Sequence, residues 1–586
     1  MAAARPFRDR FALHVLLAWV AGCLVLAIIT VERLRNGLPA GPDDTLRMVQ
    51  VRDLLTGQGW FDAMQYRIDP PAGVPMHWSR LVDLPIAALI ALLTPLLGAA
   101  LAEYVALIAV PLMTFGALVA TIAWLGQRVL DRPTALIACF IAVLAFPLAF
   151  QLSPMRIDHH GWQAVCFTIA VAALAARRPA MGGAIAGIAC AAGLLISLEL
   201  LPLAAAIGGV LLLRRLRSRA DARLLSAFVQ ALAGGLVLIF LVTRSLTGAS
   251  AFCDAIAPAH IMSVLVLAAG VTLADRFLAR SRVADIVFLV ATGALALIAF
   301  GTAAPQCLGS PFGSLDPLVR EYWYSRVPEG MPVWKQTAVR VVPMLVHLAL
   351  ALAAVVTLWR RARGSARAWW SDYLLLFLAT SMLGLLVWRS MAFAAVLCLL
   401  PLAWLVRRAF DTFVCSPSPG KRFVAAAGLL LIIQPDGPVL LAHTVMPGER
   451  STADANNETC EVGTAFAALD KEPPGVIFAQ LDLGPDILLH TRHAVVATGH
   501  HRANTAIADV IGTFLGSSEE ARETFAERGI DYVAFCENLD EITIYRRAAP
   551  GGLAAQLVED DVPDWLEPVA LPDAGSLRVW RVRREP

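Results

Sequence analysis

Apolar stretches separated by short polar connections fill the chain up to about residue 442, and each stretch reads as a candidate membrane-spanning helix. They fall at residues 11–31, 103–126, 133–150, 162–176, 181–196, 200–213, 224–243, 259–274, 284–302, 338–359, 372–388, 391–406 and 422–442. Every second connection is basic: Arg128 and Arg132, Arg177 and Arg178, Arg214 to Arg223, Arg276 to Arg282, Arg360 to Arg367, and Arg407 to Arg422. The positive-inside rule places these loops, and the basic N-terminus MAAARPFRDR, in the cytoplasm. About 13 spans then leave the C-terminus outside. The first stretch lacks a small-residue cleavage pattern and reads as a retained span rather than a signal peptide. Leu84 to Ala100 is also apolar, but counting it would put the later basic loops on the wrong side. It reads as an interfacial or re-entrant helix that closes the first external loop.

From about His443 the pattern changes. Short β-rich runs (GVIFAQL, HAVVAT, DYVAFC, LRVWRV) alternate with helical stretches such as SSEEARETFAERG. This is the pattern of an α/β domain outside the membrane, so the expected division is 1–442, a transmembrane domain with external loops, and 443–586, an external α/β domain.

Composition agrees with that outline. Of 586 residues, 58% are hydrophobic and 16% charged, with mean hydropathy +0.66, which excludes a soluble protein. A net charge of +2 argues against a nucleic-acid partner. No P-loop or glycine-rich nucleotide fingerprint occurs, which argues against a nucleotide-sugar donor or ATP drive. Cys253, Cys307, Cys460 and Cys536 fall outside the membrane, and the pairs Cys253–Cys307 and Cys460–Cys536 suit an oxidising compartment.

Three polar patches share the external face. The first, Gly41 to Arg80, holds Asp43 and Asp44. The second, SPMRIDHHGWQ, holds Asp158, His159 and His160. The third, Thr302 to Thr337, holds Glu321 and Glu329. A carboxylate followed by two imidazoles offers ligands for a divalent cation; the plain alternative is an N-cap aspartate with interfacial histidines. Arg389, in VWRSMAF, lies externally against the prevailing charge bias, where its guanidinium suits an anionic lipid headgroup; the plain alternative is an arginine snorkelling to the interface. Glu199, and His501 and Arg502 in GHHRANT, rank lower as acceptor contacts.

Asp43 in PDDTLRMVQVRD, Asp158 in IDHHGWQ and Glu329 in SRVPEG, in this order on one face, resemble the catalytic subunit of oligosaccharyltransferases, within the GT-C membrane glycosyltransferases. The resemblance implies a polytopic α-helical GT-C-like fold and transfer of a sugar or oligosaccharide from a polyprenyl-phosphate-linked donor. It gives Asp43, with Asp44, a role in binding acceptor or metal. It gives Asp158 with a following histidine a divalent cation, Mg or Mn, and Glu329 the acceptor, with Glu321 as fallback. An arginine like Arg389 would contact the carrier phosphate. The W-W-D motif by which asparagine-modifying members read their acceptor is absent, so glycolipid, polysaccharide and protein acceptors stay open. The implied location is a bacterial-type inner membrane, with the C-terminal domain periplasmic and membrane lipids all around. The rival classes are a polyprenyl-lipid flippase or transporter, which would gather charge near the bilayer midplane and show repeated halves, and an inactive scaffold of the same fold.

Overall fold

The structure is a computed structural model and describes residues 6–37, 39–218, 221–244, 252–277, 281–435, 460, 464–572 and 574–583. The end of the stretch expected at 422–442, the boundary at 442/443 and the sequon at Asn457 to Thr459 lie outside the described residues. The chain divides into two compact units that interleave in sequence. The first comprises residues 1–38, 78–311 and 328–445, and the second residues 39–77, 312–327 and 446–586.

The first unit is helical. Among the described residues, ten helices are long and apolar enough to cross a membrane, which makes this a multi-pass membrane protein. Nine of them coincide with expected spans. The tenth is Arg80–Leu97, an 18-residue helix over the stretch read as interfacial. The remaining expected spans form shorter helices: Arg132–Ile141, His160–Ala173, Leu201–Arg217 and Pro419–Ile433. A 14-residue helix such as His160–Ala173 measures only about 21 Å, less than the roughly 30 Å hydrocarbon thickness. The first three of these helices nevertheless bury many of their residues in the same core, whereas Pro419–Ile433 contributes only Ile432 to it.

Two ends can be told apart in this unit by following the helix Ala99–Val129. Near its start, Tyr104 Oη donates to the Leu34 carbonyl at 2.9 Å, and the Leu107 carbonyl accepts from Met155 N at 2.9 Å. Near its finish, the Arg128 guanidinium donates to the Ala175 carbonyl, Arg214 reaches the Leu174 carbonyl at 3.1 Å, and Arg407 pairs with Asp131. Arg132 also lies over the Phe11 ring there. The rise from Leu107 to Arg128 is about 30 Å, one bilayer core. The arginine-rich connections therefore gather at one end, and the 153–160 loop sits at the other.

Close helix packing explains two of the glycines. A Cβ on Gly183 would stand 2.2 Å from the Leu224 carbonyl oxygen, and one on Gly187 2.3 Å from that of Phe228. The pair, four residues apart on Pro179–Ile196, lets that helix lie directly against Ala222–Thr243, as small-residue seams do in membranes. The Cys253–Cys307 disulfide belongs to this unit.

The second unit is built on a five-stranded sheet. Its strands, numbered with the short hairpin β1 (Met64–Gln65) and β2 (Val74–Pro75), are β3 (Val476–Phe478), β4 (Ala494–Val495), β5 (Tyr532–Cys536), β6 (Leu566–Pro568) and β7 (Leu577–Val582). They lie in the order β4-β3-β5-β7-β6, parallel across β4-β3-β5 and antiparallel beyond. β5 is buried at every position, as a central strand covered on both faces must be. The Cys460–Cys536 disulfide closes this unit. Residues 39–77 are anchored to the sheet domain. Ile68 bridges Val495, and Asp69 N donates to the Val495 carbonyl at 3.0 Å. Arg67 donates to the Leu488 and Thr491 carbonyls, and Arg528 pairs with Asp69 at 2.8 Å.

Candidate active site

In the first unit, the loop before His160–Ala173 is held by tight local geometry. Met155, fully buried, adopts φ +68°, a left-handed conformation that costs a non-glycine residue about 1 kcal/mol. Its N–H donates to the Leu107 carbonyl. A Cβ on Gly161 would meet the Gln151 carbonyl oxygen at 2.7 Å, so glycine there lets the helix start close under the preceding turn. Asp158, His159 and His160 are all buried as a result.

Their polar atoms form a chain. Asp158 Oδ1 accepts from His159 N at 2.6 Å and faces His159 Nδ1 at 2.5 Å. Asp158 Oδ2 lies 3.3 Å from His160 Nε2 and 3.4 Å from Arg156 NH2. His160 Nδ1 stands 3.3 Å from Glu199 Oε2, and Glu199 Oε1 is 2.7 Å from Arg389 Nε. Arg389 NH1 reaches Glu329 Oε1 at 3.7 Å. Three carboxylates are thus interleaved with Arg156, His160 and Arg389.

Short turns bring these groups together. Ser197 Oγ accepts from Glu199 N at 3.4 Å, shaping the turn Leu198–Leu200, while the Ser197 carbonyl takes the Gln163 side chain at 3.0 Å. That bond ties the turn to the helix that carries His160. Arg389 sits in the turn Trp388–Ser390, and Trp388 N donates to the Met331 carbonyl at 3.0 Å, which draws the 328–336 segment and Glu329 to it.

These groups stand ahead of or between the apolar stretches, and their neighbours set their charge. Burial works against ionisation of Asp158, yet His159, His160 and Arg156 outweigh it and hold the carboxyl well below its usual range. Burial likewise opposes the Glu199 charge, and Arg389 with His160 reverses that. For His160, burial alone would lower the pKa, but Asp158 and Glu199 push it up to about 9. Burial prevails at His159, whose pKa falls.

The donor set suits a divalent cation. Asp158, His159 and His160 each offer a ligand atom, all within 4.8 Å of one another. One carboxylate with two imidazoles fits Mn better than the oxygen-seeking Mg. Binding would have to displace the His160 proton.

The remaining expected residues lie in the second unit. Asp43 and Asp44 occupy the first turn of Pro42–Leu55, Asp44 fully buried, where carboxylates also favour the helix dipole. Glu321 is exposed on the helix Pro317–Tyr322. Arg502 NH1 donates to the Pro75 carbonyl at 3.1 Å, and His501 packs its ring edge-on to Phe312. Two residues escaped the sequence reading. Arg156, two positions before Asp158, carried a visible charge signal. His77, an isolated histidine after a proline-rich run, lies 2.9 Å from His500 (Nδ1 to Nε2).

No family model matches the sequence, and no curated protein is similar to it in sequence. In fold it is similar to the archaeal oligosaccharyltransferase AglB from Archaeoglobus fulgidus, solved with an inhibitory peptide and a dolichol-phosphate. The TM-score is 0.63 over 94% of this chain and 72% of that one, at 15% identity. The chain has the GT-C fold. The Archaeoglobus fulgidus enzyme tethered to an acceptor peptide containing the NVT sequon aligns at TM-score 0.62, with 92% and 72% covered and 15% identity. Its complex with Zn and sulfate aligns at 0.57, with 92% and 70% covered and 16% identity. At such identities the GT-C likeness is one of backbone architecture, and chemistry has to be argued from this chain's own side chains.

Proposed function

We propose that this GT-C-fold protein is a membrane glycosyltransferase. It takes a sugar or oligosaccharide from a polyprenyl-phosphate-type lipid and passes it to a glycolipid, polysaccharide or protein acceptor. The observation that carries this reading is the alternation of Asp158, His160, Glu199, Arg389 and Glu329, buried at Asp158 and His160, at the end of the helical unit opposite its arginine-rich connections. Positive-inside orientation makes that end periplasmic in a bacterial-type inner membrane, with the N-terminus cytoplasmic and the C-terminal α/β domain periplasmic. The dolichol-phosphate solved with AglB agrees with a lipid-linked donor.

The chemistry needs little from the protein. A lone pair on an acceptor oxygen or nitrogen forms a bond to the anomeric carbon. The bond from that carbon to the phosphate oxygen breaks with its electrons on the phosphate, and the acceptor's proton passes to a base. Arg389, with a planar fork of donors, grips the phosphate. Glu329, one third exposed, takes the acceptor's proton. Glu199 orients both Arg389 and His160. Asp158, His159 and His160 would hold the Mg or Mn ion, which when bound supplies positive charge for the departing phosphate. Asp43 and Asp44 keep the acceptor or metal role that the sequence resemblance gives them.

The test is a supply of donors to membranes carrying the chain: labelled sugars on polyprenyl phosphate, on polyprenyl diphosphate and on nucleotides. Transfer from a polyprenyl carrier alone supports the reading. Transfer from nucleotides alone overturns it, and movement of intact lipid without transfer identifies a flippase.

A further inference from the structure

We propose that His77, His500 and His501 form a second divalent-metal site, of the zinc class, within the second unit. The imidazoles come from two places far apart in sequence. His77 follows β2 of the 39–77 segment, and His500 and His501 follow β4 at the tight turn where His500 N donates to the Thr498 carbonyl at 2.7 Å. Each offers one ring nitrogen, and these nitrogens all lie within 4.8 Å of one another. The ring centroids of every pair are 5.0 Å apart.

Those distances are close to what a metal needs. With Zn–N bonds of about 2.0–2.1 Å in a tetrahedron, ligand nitrogens stand about 3.4 Å apart. The His77 to His500 separation of 2.9 Å opens to that value with a side-chain shift of about half an ångström. An all-imidazole set disfavours Mg and Ca, which seek oxygen, and favours Zn. Three histidines leave a fourth position open, for water or an anion.

The surroundings are built to hold the rings in place. Phe312 packs edge-on to His501 at 5.2 Å and against Tyr324 at 5.0 Å. Gly499 lies close to Trp323, whose Nε1 would be 3.3 Å from a Cβ there. Arg502 holds the Pro75 carbonyl, two residues before His77. Zinc here would fasten the 39–77 segment to the sheet domain across 423 residues of sequence, independently of what reaction the protein performs.

The plain competitor is a hydrogen-bonded trio of imidazoles that binds nothing, and metal analysis separates the two. Full-length protein in nanodiscs is stripped with chelator, loaded with zinc, passed through gel filtration and measured by elemental mass spectrometry. Cobalt loading reports coordination through its visible absorption. The proposal expects at least one zinc per chain retained by the wild type and one by Asp158→Asn, with intense tetrahedral cobalt bands, and, in the Asp158→Asn background, loss of both on adding His500→Ala or the milder His501→Gln. Melting curves and an intact Cys460–Cys536 disulfide confirm folding, and if His500→Ala does not fold, His501→Gln decides alone. A wild type or Asp158→Asn variant that retains no zinc, or a folded His501→Gln in the Asp158→Asn background that retains as much as Asp158→Asn alone, overturns the site.

Discussion

Arg389→Ala separates the two jobs assigned to this arginine. It pairs with Glu199 at 2.7 Å and faces Glu329 at 3.7 Å, and it is assigned the donor phosphate. Losing one charge-assisted hydrogen bond to phosphate costs about 1.5–3 kcal/mol, so kcat/KM for the lipid donor should fall about 10- to 150-fold. The same change leaves the Glu199 carboxylate, 18% exposed, with His160 as its remaining ion-pair partner among those described. Stranding a buried charge costs about 3–5 kcal/mol; with His160 retained and some solvent present, about 2 kcal/mol is expected. Adding Glu199→Gln removes the stranded charge without restoring the phosphate contact. The double variant should therefore regain most of the lost thermal stability and none of the lost transfer, while Arg389→Lys, keeping the charge without the fork, falls between. Melting in detergent and steady-state transfer at varied donor concentration are the two readouts. Transfer by Arg389→Ala within threefold of wild type, or a double variant that recovers transfer along with stability, would refute the reasoning.

Three further outcomes follow from the same physical arguments. Asp158→Asn and His160→Gln should each lower transfer about 100-fold or more at unchanged expression, and manganese uptake at this cluster should strengthen as pH rises toward about 9, since the raised His160 pKa makes a proton the competitor. Separating Cys460 from Cys536 by a Cys536→Ser change, over a sequence separation of 76, should destabilise the second unit by about 4 kcal/mol on loop entropy, read as a drop in its melting temperature. Glu541, which accepts the Leu481 and Asp482 N–H groups at 3.0 Å, has its pKa pushed up to about 8 by burial and by Asp482. Its folded state holds the proton more tightly than the unfolded one, so it makes stability fall as pH rises from about 4.5 through about 8. Glu541→Gln should flatten that slope, and an unchanged slope would count against it.

The helices were legible because a bilayer leaves few alternatives: a long apolar run must be helical, and alternating arginine loops order its ends. Asp158, His159 and His160 were legible because they interrupt such runs, and the four paired cysteines because they fall between or beyond them. Glu199 was underweighted, since a lone carboxylate in ISLELLP carries no sign that His160 and Arg389 flank it. Arg80–Leu97 shows a limit of another kind. Hydropathy measures composition, and an 18-residue apolar helix satisfies the length for crossing whether it crosses or lies along the interface. The grouping of residues 39–77 and 312–327 with the C-terminal sheet was invisible for a different reason. It rests on backbone pairings such as Asp69 with Val495, which leave no mark in side-chain pattern. His77 was missed on the same account, because its partners are set by that docking.

The central claim is that the Asp158 to Glu329 cluster transfers a sugar from a lipid phosphate. Its most direct test compares labelled-sugar transfer from polyprenyl-linked donors by wild type, Asp158→Ala, Glu329→Ala and Asp43→Ala in membranes, with and without EDTA. The account predicts transfer by the wild type, collapse in the Asp158 and Glu329 variants at equal expression, and rescue of chelated wild type by Mn or Mg. Transfer indifferent to all three substitutions would contradict it.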